Sequence, residues 1–373
     1  MTFFRIGLTA LTVCLAAAGL AVPAAAEAPS GYVVILKAGS ADALVHRHGG
    51  VVEHRYSAVL QGFSARLTDK QARSLAADPA VDYLVADTPV RALGEQLNPP
   101  WGLDRIDQRT LPLDSRYRYN TTSPNVHTYV IDTGVKSTHQ DFGGRVSGGY
   151  DFVDNDTDPT DGNGHGTFIA GIVGGKTYGV AKQVKIVPVR VLNNSGSGTI
   201  AGVIAGIDWV TRNAVKPAVA NMSLGGPANQ ALDDAVRRSI AAGITYSVPA
   251  GSSASLASNF SPARVAEAIT SAAIDRTDCV SRSSNYGPAV DLYAPGVLIT
   301  GPWITSDTAT ITITGTSFAA AHVSGGAALY LGLNPTATPA KVQAALVASA
   351  SPGVCNLPPN SPNRILYTGP FLG

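Results

Sequence analysis

Hydrophobic and polar positions alternate in two different ways along the chain. Between residues 31 and 93, short runs such as "GYVVILKAG", "GFSARLT" and "DYLVAD" predict strands, while "DALVHRHGG" and "KQARSLAADPAV" carry the spacing of short helices. Thr68-Asp69-Lys70-Gln71 is a capping-box pattern, in which two side chains each satisfy the other's free backbone amide, so a helix starts at Thr68. The order β-α-β-β-α-β predicts a small α+β unit of the ferredoxin-like kind, with its helices on one face of a sheet. A linker, "RALGEQLNPP", follows, and its paired prolines cannot continue a helix. Beyond it the apolar runs become nearly continuous: "VHTYVID", "VKIVPVRVL", "AVANMSL", "ITYSVPA" and "VDLYAPG". Such runs suit strands buried on both faces. Helical stretches lie between them: "GTFIAGIVGG", "IAGVIAGIDWVTRN" and "ALDDAVRRSIAAG". This alternation predicts an α/β domain with a largely parallel sheet flanked by helices, whose active residues gather at the carboxyl ends of strands.

Composition narrows the partners. The 373 residues carry a formal net charge of +1, with no basic footprint for nucleic acid. The first segment has one early positive charge at Arg5, an apolar stretch, and Ala24-Ala25-Ala26 before Glu27. It reads as a secretory signal peptide over residues 1–26; as a membrane anchor it is short, and Pro23 breaks it. No later stretch is long and apolar enough to span a bilayer, so we expect a secreted protein, free of the membrane once the signal is removed, and a monomer. Cys14 leaves with the signal, and in an exported protein the remaining pair, Cys279 and Cys355, most simply forms one disulfide.

Three polar residues stand at element boundaries. Asp132 ends the apolar run "YVID", His165 lies among glycines in "DGNGHGTFIAG", and Ser317 precedes the small apolar run "FAAAHVSGGAALYL". Taken singly, Asp132 suits a turn, His165 a packed or capping histidine, and Ser317 a helix N-cap. Together they supply a nucleophile, a base for its proton, and a carboxylate that fixes the base's tautomer. Aspartic protease chemistry needs a second Asp-Thr-Gly or Asp-Ser-Gly, and the chain has none. The α/β-hydrolase order needs an acid after the serine, yet no Asp or Glu follows Ser317. The order Asp–His–Ser remains.

With these flanks the chain resembles the subtilisin-like serine peptidases, in their proteinase K-like branch. The likeness rests on "YVIDTGV", "GNGHGT", "YGVAK", "NMSLGG", "NFSPA", "SNYGPAVDLYAPG", "GTSFAAAHVSGG" and "SPNRILY", in the family's order. It implies a secreted serine endopeptidase with Asp132 orienting His165, His165 as general base and Ser317 as nucleophile. It also implies that residues 27–95 are a propeptide that assists folding and inhibits intramolecularly until cleaved near residues 92–97, and that 96–373 form the catalytic domain. Protein or peptide substrates would add as a strand between Ser195-Gly196-Ser197-Gly198 and Ser223-Leu224-Gly225, with a first specificity pocket beside Pro249-Ala250-Gly251. Its lining is small and uncharged, which implies tolerance for apolar or aromatic side chains and no strict charge rule.

The chain also departs from the resemblance. The family places an asparagine after Ala-Gly to complete the oxyanion hole, beside the backbone N–H of Ser317; here that position is Ser252. Loss of one such donor costs about 10²–10³ in turnover, so a slower peptidase is expected, with a peptide-binding protein that has lost catalysis as the alternative. A third reading, acyl transfer on ester or lipid substrates, has only the serine to support it. Phe168 and Phe318 replace the usual His and Met, Ala321 the usual Pro, and Gly162 and Ala289 the usual cysteines. The resemblance further implies structural calcium. One site would use Asp291 with the carbonyls of Ala266 and Ala268, and a second Asp104, Asp107, Gln108 and Asp114, although Arg116 takes what is often a ligand position. Asp151 with Asp156 would make a third. The histidines of "HRHGG", with His54, read as surface residues.

Overall fold

The computed structural model describes residues 28–88 and 94–369, which form two compact units. The expected signal peptide lies outside the described residues, as does part of the expected cleavage region. In the first unit the elements are β1 (Ser30–Leu36), α1 (Ala41–His48), β2 (Val51–Tyr56), β3 (Gly62–Leu67), α2 (Asp69–Ala76) and β4 (Val81–Ala86). The strands form one antiparallel sheet in the order β2-β3-β1-β4. Val34, Phe63, Ala65 and Leu67 from the sheet bury against Leu44 of α1 and Leu75 of α2. The capping box at Thr68 and Gln71 is formed at both of its hydrogen bonds.

The second unit opens with β5 (Gly94–Leu97), α3 (Trp101–Ile106) and β6 (Arg116–Tyr119), of which β5 and β6 pair as a hairpin. Then come β7 (His127–Asp132), β8 (Tyr150–Asp151), α4 (His165–Gly174), β9 (Lys185–Arg190), α5 (Ile200–Asn213) and β10 (Ala218–Asn221). Next are β11 (Gly226–Pro227), α6 (Gln230–Ala241), β12 (Thr245–Pro249), β13 (Phe260–Ser261), β14 (Ile269–Ile274) and β15 (Leu292–Pro295). The unit closes with β16 (Ile299–Pro302), β17 (Thr310–Ile313), α7 (Thr316–Leu333) and α8 (Pro339–Ser349).

Seven strands form a parallel sheet in the order β15-β14-β12-β10-β7-β9-β8. One face packs on α4 and α7, the other on α5 and α6, giving two hydrophobic cores. That double cover explains the near-continuous apolar strands. Helix α7 has no polar stripe because nearly every face is buried, and its Ala and Gly residues let the sheet approach closely. Chain order reverses at β7, which has β9 on one side and β10 on the other, so the carboxyl end of β7 is the crevice where an open sheet of this kind binds ligands. Strand β14, "ITSAAI", and the hairpin β16–β17 were not among the predicted strands. Cys279 and Cys355 are joined as a disulfide.

Candidate active site

Asp132 is the last residue of β7 and is fully buried. His165 is the first residue of α4, and its Nδ1 lies 2.7 Å from Asp132 Oδ1. The same oxygen accepts the Thr133 amide at 2.8 Å. The turn that delivers the imidazole is organised by a residue that sequence reasoning missed, Asp161. Its carboxylate accepts from the amides of Asn163, Gly164 and Thr167 and from the hydroxyls of Thr133 and Thr167, at 2.6–2.9 Å. Gly164 has φ +114°, and a Cβ there would come within 2.5 Å of the Trp303 ring, so glycine alone fits. Burial of His165 works to lower its pKa, but the charge and hydrogen bond of Asp132, with Asp161 behind, outweigh it, and the net shift is upward. The Phe318 ring packs beside the imidazole, with centroids 6.0 Å apart, and Phe168 meets Phe318 in a tilted contact at 4.7 Å. The two aromatic departures are therefore one contact.

Ser317 is the second residue of α7, whose N-cap is Gly315 without any side-chain cap. Ser317 is thus not a capping serine. Its hydroxyl donates to the carbonyl of Ser223 at 3.4 Å, and the Ser223 hydroxyl donates back to the Ser317 carbonyl at 3.0 Å. Asn221 Nδ2 donates in turn to the Ser223 hydroxyl at 2.8 Å. No hydrogen bond joins Ser317 to His165 here; such bonds are often long until substrate is bound. Helix α7 begins beside the serine, and a helix N-terminus favours negative charge. Ser252 is exposed, and its hydroxyl lies 3.2 Å from that of buried Thr316. The loop that carries it is tied down by Asn285, which donates to Ala250 O at 2.8 Å and accepts the amides of Ser253 and Ser255.

Two cavities meet at Ser223–Gly226. The larger, about 520 Å³, contains His165, Thr133 and Asn163 and is walled by Gly196, Ser197, Gly198 and the apolar Leu192, Val203 and Leu232. The smaller, about 260 Å³, contains Ser317, Thr316 and Ser252 with Ala250, Gly251, Phe260 and Ala263. Of the seven residues expected to flank a substrate strand, all but Ser195 line one cavity or the other, Pro249, Ala250 and Gly251 line the smaller, and no charged side chain lines that one.

The residues expected to hold calcium are arranged otherwise. Among the described residues, no three His, Cys, Asp or Glu gather where they could hold a metal ion. Asp104 accepts the amides of Asp114 and Ser115, at 3.2 and 3.0 Å. Asp107 accepts the Arg118 amide at 2.7 Å, and the Arg118 guanidinium pairs with Asp114 at 2.9 Å. Gln108 Oε1 also accepts the Asp114 amide, and Arg116 turns away to Glu95. One buried oxygen, Asp107 Oδ1, has no partner, and burial pushes that carboxyl up to about 7. The carboxylates of this turn and the Gln108 oxygen thus serve backbone amides and a guanidinium. Asp151 is paired with Arg190, and Asp156 caps its own turn at the Asp158 amide. The oxygens of Asp291, Ala266 and Ala268 do converge, but on the amide nitrogen of Gln343.

Comparison with known proteins shows the family. The profile of the subtilase family matches residues 125–366, and that of the peptidase inhibitor I9 family matches residues 30–93. The chain is 53% identical over 324 residues to an extracellular serine proteinase of Thermus sp. (strain Rt41A), covering 87% of this chain and 79% of that one. It is 49% identical over 323 residues to alkaline serine exoprotease A of Vibrio alginolyticus, covering 85% of this chain and 60% of the length of that relative. Among solved structures, a cold adapted subtilisin-like serine proteinase aligns with a TM-score of 0.71 at 50% identity, covering 73% of this chain and 98% of that one. The chain belongs to the subtilase family, as a serine endopeptidase preceded by a peptidase inhibitor I9 domain.

Proposed function

We propose that the protein is a secreted endopeptidase that cleaves peptide bonds through Asp132, His165 and Ser317, by way of an acyl-enzyme. An extended substrate pairs its backbone with Gly196–Gly198 and Ser223–Gly225 and places an apolar or aromatic side chain in the smaller cavity. Ser317 Oγ attacks the carbonyl carbon while His165 Nε2 takes its proton, and Asp132 holds Nδ1–H and stabilises the imidazolium. The oxyanion is met by the Ser317 amide at the start of α7 and by the Ser252 hydroxyl. His165 then hands its proton to the leaving amine, and water, activated by the same base, releases the acyl group. The inhibitor domain within residues 27–95 serves as an intramolecular inhibitor until cleavage near residues 92–97 frees the catalytic domain. Secretion follows from the N-terminal segment and from likeness to an extracellular relative.

What carries this is the 2.7 Å bond from Nδ1 to Asp132, at a histidine whose cavity adjoins the one holding Ser317. The test is digestion of denatured casein and labelling by a fluorophosphonate, with Ser317→Ala as control. The expected outcome is cleavage and label in the parent and neither in the variant; an uncut, unlabelled parent overturns it. Ser252 favours a second reading, a peptide-binding protein that has kept only the cleft. Activity absent both in the parent and in Ser252→Asn would favour that reading.

A further inference from the structure

Gln343 lies on α8, which starts at the Thr338 cap. Its Nε2 is 3.0 Å from Ala266 O, 3.2 Å from Ala268 O and 3.3 Å from Asp291 Oδ1. Asp291 is fixed from the other side, where Oδ2 accepts the Thr270 amide at 2.8 Å. Two carbonyls and a carboxylate aimed at one point form the kind of shell that a hard cation takes. Here that point is filled by a neutral nitrogen. An amide NH₂ carries two hydrogens, so three acceptors share them, and Nε2 can accept no metal. Calcium needs its oxygens at about 2.3–2.6 Å around a centre of its own, so ion and amide nitrogen exclude each other.

We propose that Gln343 is a built-in substitute for a cation, tying the Ala266–Ala268 turn and Asp291 to α8 so that this locus neither binds nor requires calcium. The amide performs the mechanical part of a structural ion, gathering three oxygens from two segments of chain. It brings no net charge, and it is tethered, so its occupancy does not depend on the concentration of a free ligand. The inference concerns a site apart from the two cavities and stands whether or not the peptidase mechanism does.

The test uses the full chain carrying Ser317→Ala, so that self-digestion does not intrude, and reads calcium stoichiometry by equilibrium dialysis together with Tm in EDTA and in calcium. Gln343→Ala removes the nitrogen and leaves the three oxygens facing a gap. It is expected to bind one more calcium per chain than the parent, and its Tm in EDTA should fall by about 2–4 °C and recover in calcium. Adding Asp291→Asn should abolish the additional ion. Gln343→Glu, of the same shape but with an acceptor for a donor, should show the same calcium dependence more strongly. If Gln343→Ala fails to fold, Asp291→Asn in the parent decides: unchanged stoichiometry supports the proposal. Loss of one ion from the parent on Asp291→Asn, or equal stoichiometry in parent and Gln343→Ala, overturns it.

Discussion

The two halves of the active site are built to different standards. Around His165, each steering group is itself held by a buried one: Asp132 at the end of a central strand, Thr133 on Asp161, and Asp161 on three amides and two hydroxyls. Around Ser252, the side chain we propose for the oxyanion is exposed and, among the described residues, its hydroxyl meets that of the neighbouring Thr316. The proposed base is pre-organised by side chains, whereas the proposed oxyanion side would rely on the backbone at the start of α7. Rate enhancement drawn from fixed dipoles should therefore be near its ceiling on one side and below it on the other.

The largest effect is expected where organisation is densest. Asp132→Asn keeps the shape but leaves the wrong tautomer at His165, and kcat should fall by about 10⁴. The pH profile adds a sign. Because Asp132 raises the His165 pKa, the parent's acid limb in kcat/KM should inflect above 6.5, activity appearing as the imidazole loses its proton. Removing the charge should move that inflection downward. An unmoved limb would mean that the coupling seen in the folded chain does not govern the reacting state.

Next in size is a gain. Ser252→Asn supplies the longer donor, and kcat should rise by about 10² with KM little changed, since the oxyanion exists only after attack. No change would mean that the α7 amides already suffice, and the contrast between the halves would collapse. Smaller still is Thr316→Val, which removes the partner of the Ser252 hydroxyl. One hydrogen bond of about 1 kcal/mol corresponds to roughly a five-fold loss in kcat. In the Ser252→Asn background that loss should vanish if Thr316 acts through Ser252.

Legibility in the sequence followed the same divide. Asp132 announced itself as a carboxylate ending an apolar run just before Thr-Gly, and Thr68 through Gln71 as a local pattern whose partners lie three residues apart. The strands β7, β9, β10, β12 and β15 were visible because both faces are apolar. Strand β14 was not, since "ITSAAI" is rich in small residues whose burial comes from α7 rather than from their own bulk. Asp161, Asn285 and Gln343 were invisible as organisers for a different reason. Their partners are mostly backbone amides and carbonyls, which leave no letter in the sequence, and for Gln343 they lie 52–77 residues away. The carbonyls of Ala266 and Ala268 were expected to face calcium with Asp291; in the fold all three accept from Gln343.

The last prediction separates stability from catalysis. The Cys279–Cys355 disulfide closes a separation of 76 residues. Next to it the Asp278 carbonyl accepts the Cys355 amide at 2.9 Å, while its carboxylate holds buried Arg105 at 2.6 Å. Neither cysteine, nor Asp278, nor Arg105 lines either cavity. A cross-link of this span is worth about 4 kcal/mol, chiefly through the unfolded chain. Cys279→Ser with Cys355→Ser should therefore shorten the half-life at elevated temperature while leaving kcat/KM at 25 °C almost unchanged. Both halves of the site would then keep their contrast in a less durable protein. A fall in kcat/KM at low temperature would show instead that the ordering of the Ser252 side reaches as far as this bridge, through the segment from Cys279 to Asn285 that leads back to the oxyanion loop.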